Sequence, residues 1–313
     1  MKPGVLVNRR AGRVARDPEL PERLRRLLPR ENLRVTANLA EVEPALAALH
    51  EVGVDTLVVV GGDGSMTGTL TALLRVWPRE SLPRVLLAGG GSVNTIAKSL
   101  GARGGPERLL KRLLDGHTQV HVDVRPVLRI QSEGSEPVYG MIFANGAAPR
   151  WLEFYYEHSS RGVRGALYSV AATLASVMVN GELAHKLFDP FDALLEIDGE
   201  PLDQRQFTTI AAGGVRHIGL GFPLFRSAGE KPGHFHFVAT DMQGGRLMRR
   251  LPRLRAGSAR ALDELVHASA RRVVIRTPRP MPYTIDAELY PGVGSVTIET
   301  GPEIHFLALG DHP

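Results

Sequence analysis

The sequence predicts an α/β N-terminal domain on an open parallel sheet, followed by a β-rich sandwich domain. Three observations carry this. Short β-branched runs alternate with helical periodicity through the first 120 residues. Those runs end in polar or glycine-rich turns. Beyond residue 121 the texture changes to closely spaced strand-like segments with hairpin signals. The 313 residues suit about two domains of roughly 150 residues each. The expected division is 1–120 and 121–313, with the C-terminal end free to return to the first domain.

Val5–Asn8 is the first strand. Pro18–Leu28 has helical spacing, with Asp17 as N-cap and Pro18 at the first helical position. Leu33–Thr36 is the second strand. Leu39–Val52 repeats Val42, Leu46 and Leu49 on one helical face and stops near Gly53. Thr56–Val60 is the continuous apolar run of a strand buried on both faces. A helix over Met66–Val76, a strand over Arg84–Ala88 and a helix over Thr95–Leu100 complete the alternation. In the second half, Val122–Val124, Leu128–Ile130, Val138–Asn145, Ala193–Ile197, Phe207–Ala212 and His234–Ala239 read as strands. So do Arg272–Arg276, Pro282–Ile285, Ser295–Glu299 and Glu303–Ala308. Ile197-Asp198-Gly199-Glu200 carries a hairpin signal. A helical insert is expected over Gly165–Val179.

Composition narrows the function classes. Apolar residues make up 43%, enough for ordinary cores. The absence of cysteine excludes disulfides, thiolate metal sites and a cysteine nucleophile. The apolar run within Met1–Asn8 is too short for a signal peptide. Ala166–Val179 falls short of the roughly 20 residues of a membrane span and carries Ser169, Thr173 and Ser176. A soluble, cytoplasmic protein is expected. The net charge of +5 is concentrated locally: Arg246, Arg249, Arg250, Arg253, Arg255 and Arg260 crowd one segment. That patch suits a solvated helix face or peripheral association with anionic lipid. It lacks the interleaved aromatics of a nucleic-acid surface, so no nucleic-acid partner is expected. A homodimer is left open.

The chemistry gathers at three turns. Thr56–Val60 runs into Gly61-Gly62-Asp63-Gly64-Ser65-Met66, a strand, a glycine turn and a helix start. Glycines admit close backbone approach, and a helix N-terminus favours anions, so this is a phosphate cradle. Ser65 or Thr67 can add hydroxyl donors. A carboxylate beside phosphates repels them unless a cation intervenes, so Asp63 points to Mg²⁺ through a bridging water, or to a ribose. The alternative is Asp63 as a helix cap in a tight turn. Gly89-Gly90-Gly91-Ser92-Val93-Asn94 follows the next strand, and Asn8-Arg9-Arg10-Ala11-Gly12 follows the first. In a parallel sheet all three share the carboxyl edge. The P-loop, dinucleotide, H-E-x-x-H and G-x-S-x-G patterns are absent.

This set resembles the diacylglycerol kinase catalytic-domain family, whose members include soluble bacterial lipid kinases, sphingosine kinases and ceramide kinases. The matching motifs are Asn8–Gly12, Gly61–Ser65 and Gly89–Asn94, with Asp286-Ala287-Glu288 standing at the family's Asp-Gly-Glu. Arg9 and Gly89 replace prolines of the pattern and Ala287 replaces its glycine. Pro232-Gly233-His234-Phe235-His236 stands where the family carries an Asp-Gly motif linked to structural Mg²⁺. His234 and His236 then form a candidate metal pair on one strand face.

The resemblance implies phosphoryl transfer from ATP, with Mg²⁺, to a lipid hydroxyl of diacylglycerol, ceramide or sphingoid type. The amides of Gly62–Met66 would hold phosphates. Asn8, Gly12, Thr36, Gly61, Gly62, Gly64, Ser65, Met66, Gly91, Ser92 and Asn94 would form the nucleotide site. Glu288 would act as base and Asp63 as second catalytic residue. The acceptor would enter between the domains, with Leu167, Val170, Leu174 and Met178 lining an acyl pocket or serving as ordinary core. The alternatives are a non-catalytic lipid- or nucleotide-binding protein on this fold, or an NAD kinase-like enzyme.

Overall fold

A computed structural model describes residues 1–91, 94–158, 163–179, 181–218, 221–258 and 263–309. The chain divides into two compact units, Met1–Arg125 together with Pro302–Pro313, and Pro126–Gly301.

The first unit contains β1 (Pro3–Asn8), α1 (Gly12–Arg16), α2 (Leu20–Arg25), β2 (Leu33–Thr36), α3 (Val42–Glu51), β3 (Thr56–Gly61), α4 (Asp63–Val76), β4 (Arg84–Gly89), α5 (Thr95–Ser99) and α6 (Pro106–Leu114). The sheet order is β2-β1-β3-β4, all parallel. Phe306, near the chain's end, pairs in parallel with Val85. Val5, Val7, Val58, Val60 and Leu86 are buried against Leu109, Leu110 and Leu113 of α6. Continuous apolar runs suit such strands because helices cover both faces of a parallel sheet.

Asp17 does not cap α2. Its carboxylate is held 2.6 Å from the Arg23 guanidinium, which lowers its pKa, and α2 begins after Glu19. The helix expected from Leu39 opens as a short 3₁₀ turn, with Asn38 Oδ1 accepting from the Glu41 amide at 3.2 Å.

The second unit begins within β5 (Val120–Ser132). It continues with β6 (Val138–Gly140), β7 (Ile142–Gly146), α7 (Ala147–His158), α8 (Val163–Met178) and α9 (Glu182–Phe188). Next come β8 (Phe191–Asp192), β9 (Leu194–Ile197), β10 (Glu200–Pro201), β11 (Gln206–Phe207), β12 (Thr209–Gly213) and β13 (Phe235–Thr240). Then follow α10 (Gly244–Arg255), β14 (Val266–Ala270), β15 (Arg272–Ile285) and β16 (Glu288–Leu309), which leaves the second unit after Gly301. These strands build a β-rich sandwich. Its main order, β14-β13-β12-β7-β15-β16, is antiparallel. Phe143, Phe207, Phe235 and Phe237 are fully buried in its core.

Several strands are longer than their sequence signals. The segments at 272–276 and 282–285 are two halves of β15, which pairs first with β9 and then with β7 across a register shift. Pro278, Arg279 and Pro280 interrupt the apolar pattern there without ending the strand. The Asp198–Gly199 hairpin forms as expected, with φ of 51° and 93°.

The link between β15 and β16 is a two-residue hairpin, with Asp286 at φ 50° and Ala287 at φ 68°. Both lie in the left-handed region, as a type I′ turn requires. Glycine suits the second position. Alanine there carries a Cβ penalty of roughly 1–2 kcal/mol. Ala287→Gly is therefore expected to stabilise the fold by about 0.5–1 kcal/mol in chemical denaturation, because glycine's greater freedom in the unfolded chain offsets part of the relief. A loss of stability would show that this turn carries no strain.

Candidate active site

The first unit brings the three turns together by backbone packing. Asn8 ends β1 opposite Thr36, and Gly61 ends β3 opposite Gly89. The Asn8 amide side chain donates to Ser65 Oγ at 2.7 Å, and its Oδ1 accepts from the Arg10 amide at 2.9 Å. The Gly62 N–H also donates to Ser65 Oγ, at 3.3 Å. A hydroxyl accepts two hydrogen bonds and donates one. With both lone pairs engaged, the Ser65 O–H proton is the valence left for another acceptor.

The glycine turns touch directly. Gly90 and Gly91 amides both donate to the Gly61 carbonyl, at 2.8 and 3.2 Å. A Cβ on Gly91 would lie 2.5 Å from Gly62 Cα, closer than real side chains come to backbone. The hollow among Gly61, Gly62, Asp63, Gly89 and Asn94 is only about 10 Å³. Asn94 adopts the left-handed conformation at φ 54° and closes its own turn, accepting from the Gly91 amide at 2.8 Å and donating to the Gly91 carbonyl at 2.9 Å. The first motif joins through Arg13, whose amide donates to the Gly90 carbonyl at 2.7 Å. That link was not legible in sequence, because it depends on the tertiary approach of α1 to the third turn. Gly12 begins α1.

Asp63 sits at the first position of α4 and reaches across to α5. Its two oxygens accept from the Thr95 and Ile96 amides, each at 3.1 Å. The carboxylate thus caps the next helix rather than its own. Burial pushes its pKa up, against the downward pull of those two amides and of Lys98.

The expected phosphate amides narrow accordingly. The Met66 amide is bonded to the Gly62 carbonyl within α4, and the Gly62 amide is taken by Ser65. Asp63, Gly64 and Ser65 hold the first-turn amides that a helix cannot pair internally. Thr67 is buried on α4. Thr36 is also buried, and its hydroxyl donates to the Val7 carbonyl at 3.4 Å, which braces β2 on β1. Ser92 lies outside the described residues.

In the second unit, the Asp286 carboxylate accepts from the Met141 and Ile142 amides at 2.8–3.1 Å. This fixes the hairpin to the β6–β7 junction. Glu288, the first residue of β16, is exposed. The Tyr156 hydroxyl donates to the Ala287 carbonyl at 3.0 Å. Tyr290 is pushed up to about 12 by burial, then by the charge of Asp286.

The histidine pair does not assemble a metal site. His234 precedes β13, with its Nδ1 2.8 Å from the Pro232 carbonyl. His236 Nδ1 accepts from the Ser227 amide at 3.3 Å, and Nε2 is buried without a hydrogen-bond partner among the described residues. Among those residues, no group of three or more His, Asp or Glu is placed to hold a metal. Mg²⁺ carried in on nucleotide phosphates, keeping its own waters and one carboxylate contact, fits Asp63; a cage made by the protein alone does not.

Burial holds His236 neutral, with its pKa lowered to about 4. The unfolded chain protonates this imidazole near 6.5. Stability from keeping it neutral is therefore complete above about pH 6.5 and is lost as pH falls toward 4. Between pH 7 and 5 the wild type is expected to lose about 2 kcal/mol more than His236→Asn, which keeps an acceptor for Ser227 without titrating. Parallel urea curves for the two proteins across this range would refute the assignment.

Helix α8 buries Gly165, Ser169 and Thr173, while Val170 and Leu174 are half-buried; the Leu167 and Met178 side chains lie outside the described ones. No helix among the described residues is long and apolar enough to cross a membrane. On α10, Arg246, Arg249, Arg253 and Arg255 are exposed, and Arg250 pairs with Glu264 at 2.5 Å. Arg260 lies outside the described residues.

Residues 2–125 match the family model described as the diacylglycerol kinase catalytic domain. Residues 167–307 match the YegS C-terminal NAD kinase beta sandwich-like domain. Among solved structures, a putative diacylglycerol kinase from Bacillus anthracis str. Sterne is similar at TM-score 0.66 and 16% identity, covering 99% of this chain and 97% of that chain. A second structure, described as a diacylglycerol kinase from the same organism, is similar at TM-score 0.62 and 16% identity, with 99% and 97% covered. At that identity the likeness concerns the fold alone. No curated protein matches the chain. With a kinase catalytic domain and its companion β-sandwich matched in order along one chain, the protein belongs to the diacylglycerol kinase catalytic-domain family.

Proposed function

We propose that this protein is an ATP-dependent lipid kinase that transfers the γ-phosphoryl group to a lipid hydroxyl. The observation that carries this is the interlocked turn cluster. It presents the unpaired amides of Asp63, Gly64 and Ser65, and the Ser65 O–H, at the N-terminus of a 14-residue helix. Such an array binds phosphate oxygens through oriented dipoles. Asp63 positions α5 and the third turn, and its remaining lone pairs suit a water of Mg²⁺. When bound, Mg²⁺ supplies positive charge against the phosphates.

Glu288 is the proposed base. Its carboxylate takes the proton of the acceptor hydroxyl as the new O–P bond forms; the γ-phosphoryl bond to ADP breaks, and ADP leaves with the electron pair. The exposed arginines of α10 suit peripheral docking on anionic lipid, at about 1 kcal/mol per basic residue near the surface. Vesicle sedimentation across a salt series tests that part: binding indifferent to lipid charge and to salt would sink it.

The central experiment is incubation of the pure protein with γ-labelled ATP and a panel of diacylglycerol, ceramide, sphingosine and NAD⁺, followed by chromatography. Label in one lipid class is expected. Label in NAD⁺ alone, or nucleotide binding with no labelled product, would overturn the lipid-kinase reading.

A further inference from the structure

A groove in the first unit, which meets the turn cluster only at Arg13, has the size and charge of a ligand site. Its volume is about 570 Å³, and it runs between α1–α2 and α6. Small-molecule sites commonly span roughly 300–1,000 Å³. The buried Leu20 and Pro106 form an apolar floor.

The charges along it are not balanced. Asp17 and Glu107 are both bonded to Arg23, at 2.6 and 3.0 Å, and Glu107 also to Lys111 at 2.7 Å. Asp115 turns back to the amides of His117 and Thr118. That leaves Arg13, Arg108 and Arg112 lining the groove with no carboxylate partner among the described residues. Arg13 is aimed at the start of α6: its guanidinium lies 3.4 Å from where a Cβ on Gly105 would stand. Guanidinium groups recognise phosphate oxygens through paired N–H donors, and several lining one groove with an apolar floor fit a phosphate ester better than a simple counter-ion.

We infer that this groove binds a phosphate-bearing ligand, either a free small phosphate ester or a phospholipid headgroup, at Arg13, Arg108 and Arg112. The inference does not depend on the proposed kinase activity. The test is calorimetric titration of pyrophosphate into the full chain and into Arg108→Gln/Arg112→Gln, both with a non-hydrolysable ATP analogue in excess. A second arm uses phosphatidylcholine vesicles with and without phosphatidic acid. Both substitutions are on the surface of α6, and an unchanged melting temperature checks that the fold is intact. Pyrophosphate binding at least tenfold weaker in the double variant supports a free phosphate ligand. Vesicle binding that needs phosphatidic acid and falls tenfold in the variant supports the headgroup. Equal binding of both probes by the two proteins, or binding of neither, overturns the inference. Because the readout is a difference between wild type and variant, it decides even if the ATP analogue itself fails to bind.

Discussion

Replacing Glu288 by glutamine is expected to lower phosphoryl transfer about 10²–10⁴-fold while leaving the melting temperature unchanged. The side chain keeps its shape but can no longer accept a proton. Glu288 is exposed at the first position of β16, and glutamine has the same shape, so the change is made without burying or crowding any group. The hairpin that carries it is held by Asp286 through the Met141 and Ile142 amides, which this substitution does not touch. Single-turnover transfer and a thermal scan on the same sample separate chemistry from stability. Turnover close to wild type would remove Glu288 from the mechanism.

Gly91→Ala is expected to have the largest combined effect on fold and binding. The new Cβ would stand 2.5 Å from Gly62 Cα and 2.9 Å from Asn94 Oδ1. Gly62 Cα is backbone, and the Asn94 amide is held by its two hydrogen bonds to Gly91, so the two turns must separate. That displaces the Gly90 and Gly91 amides from the Gly61 carbonyl. A cost of about 2 kcal/mol or more is expected, with nucleotide affinity falling at least about tenfold. Gly68→Ala provides the contrast. Its Cβ would meet Leu39 Cδ2, but Leu39 is 70% exposed and can rotate away. Within α4 that change is expected to stabilise by about 0.5–1 kcal/mol. Urea denaturation and nucleotide titration of both variants check the pair. Equal effects would mean that the Gly62–Gly91 contact does not organise the site.

Much of this was legible in the sequence because it is local. Thr56–Val60 announces a doubly buried strand through five consecutive apolar or β-branched residues, and the structure buries all five. The glycine turns are visible because only glycine allows their backbones to approach so closely. The Asp198–Gly199 hairpin follows from residues that tolerate positive φ. The errors fall where a distant partner competes with a local signal. Asp17 has the position of an N-cap, but Arg23 holds its carboxylate. His234 and His236 have strand spacing, yet β13 begins only at Phe235 and each ring finds a separate backbone partner.

By itself, the sequence determined the alternation of the first domain, the β-rich second half and the three turns on which the family resemblance rests. Periodicity and backbone permissiveness are properties of neighbouring residues, so they can be read along the chain. Only the tertiary structure decided what the Gly61–Ser65 turn does with its groups. Asp63 caps a helix 32 residues further along, Ser65 is locked by Asn8 from 57 residues earlier, and Met66 is spent inside α4. Hydrogen-bonding capacity is finite, and which amides remain for a phosphate depends on which are already satisfied across the fold.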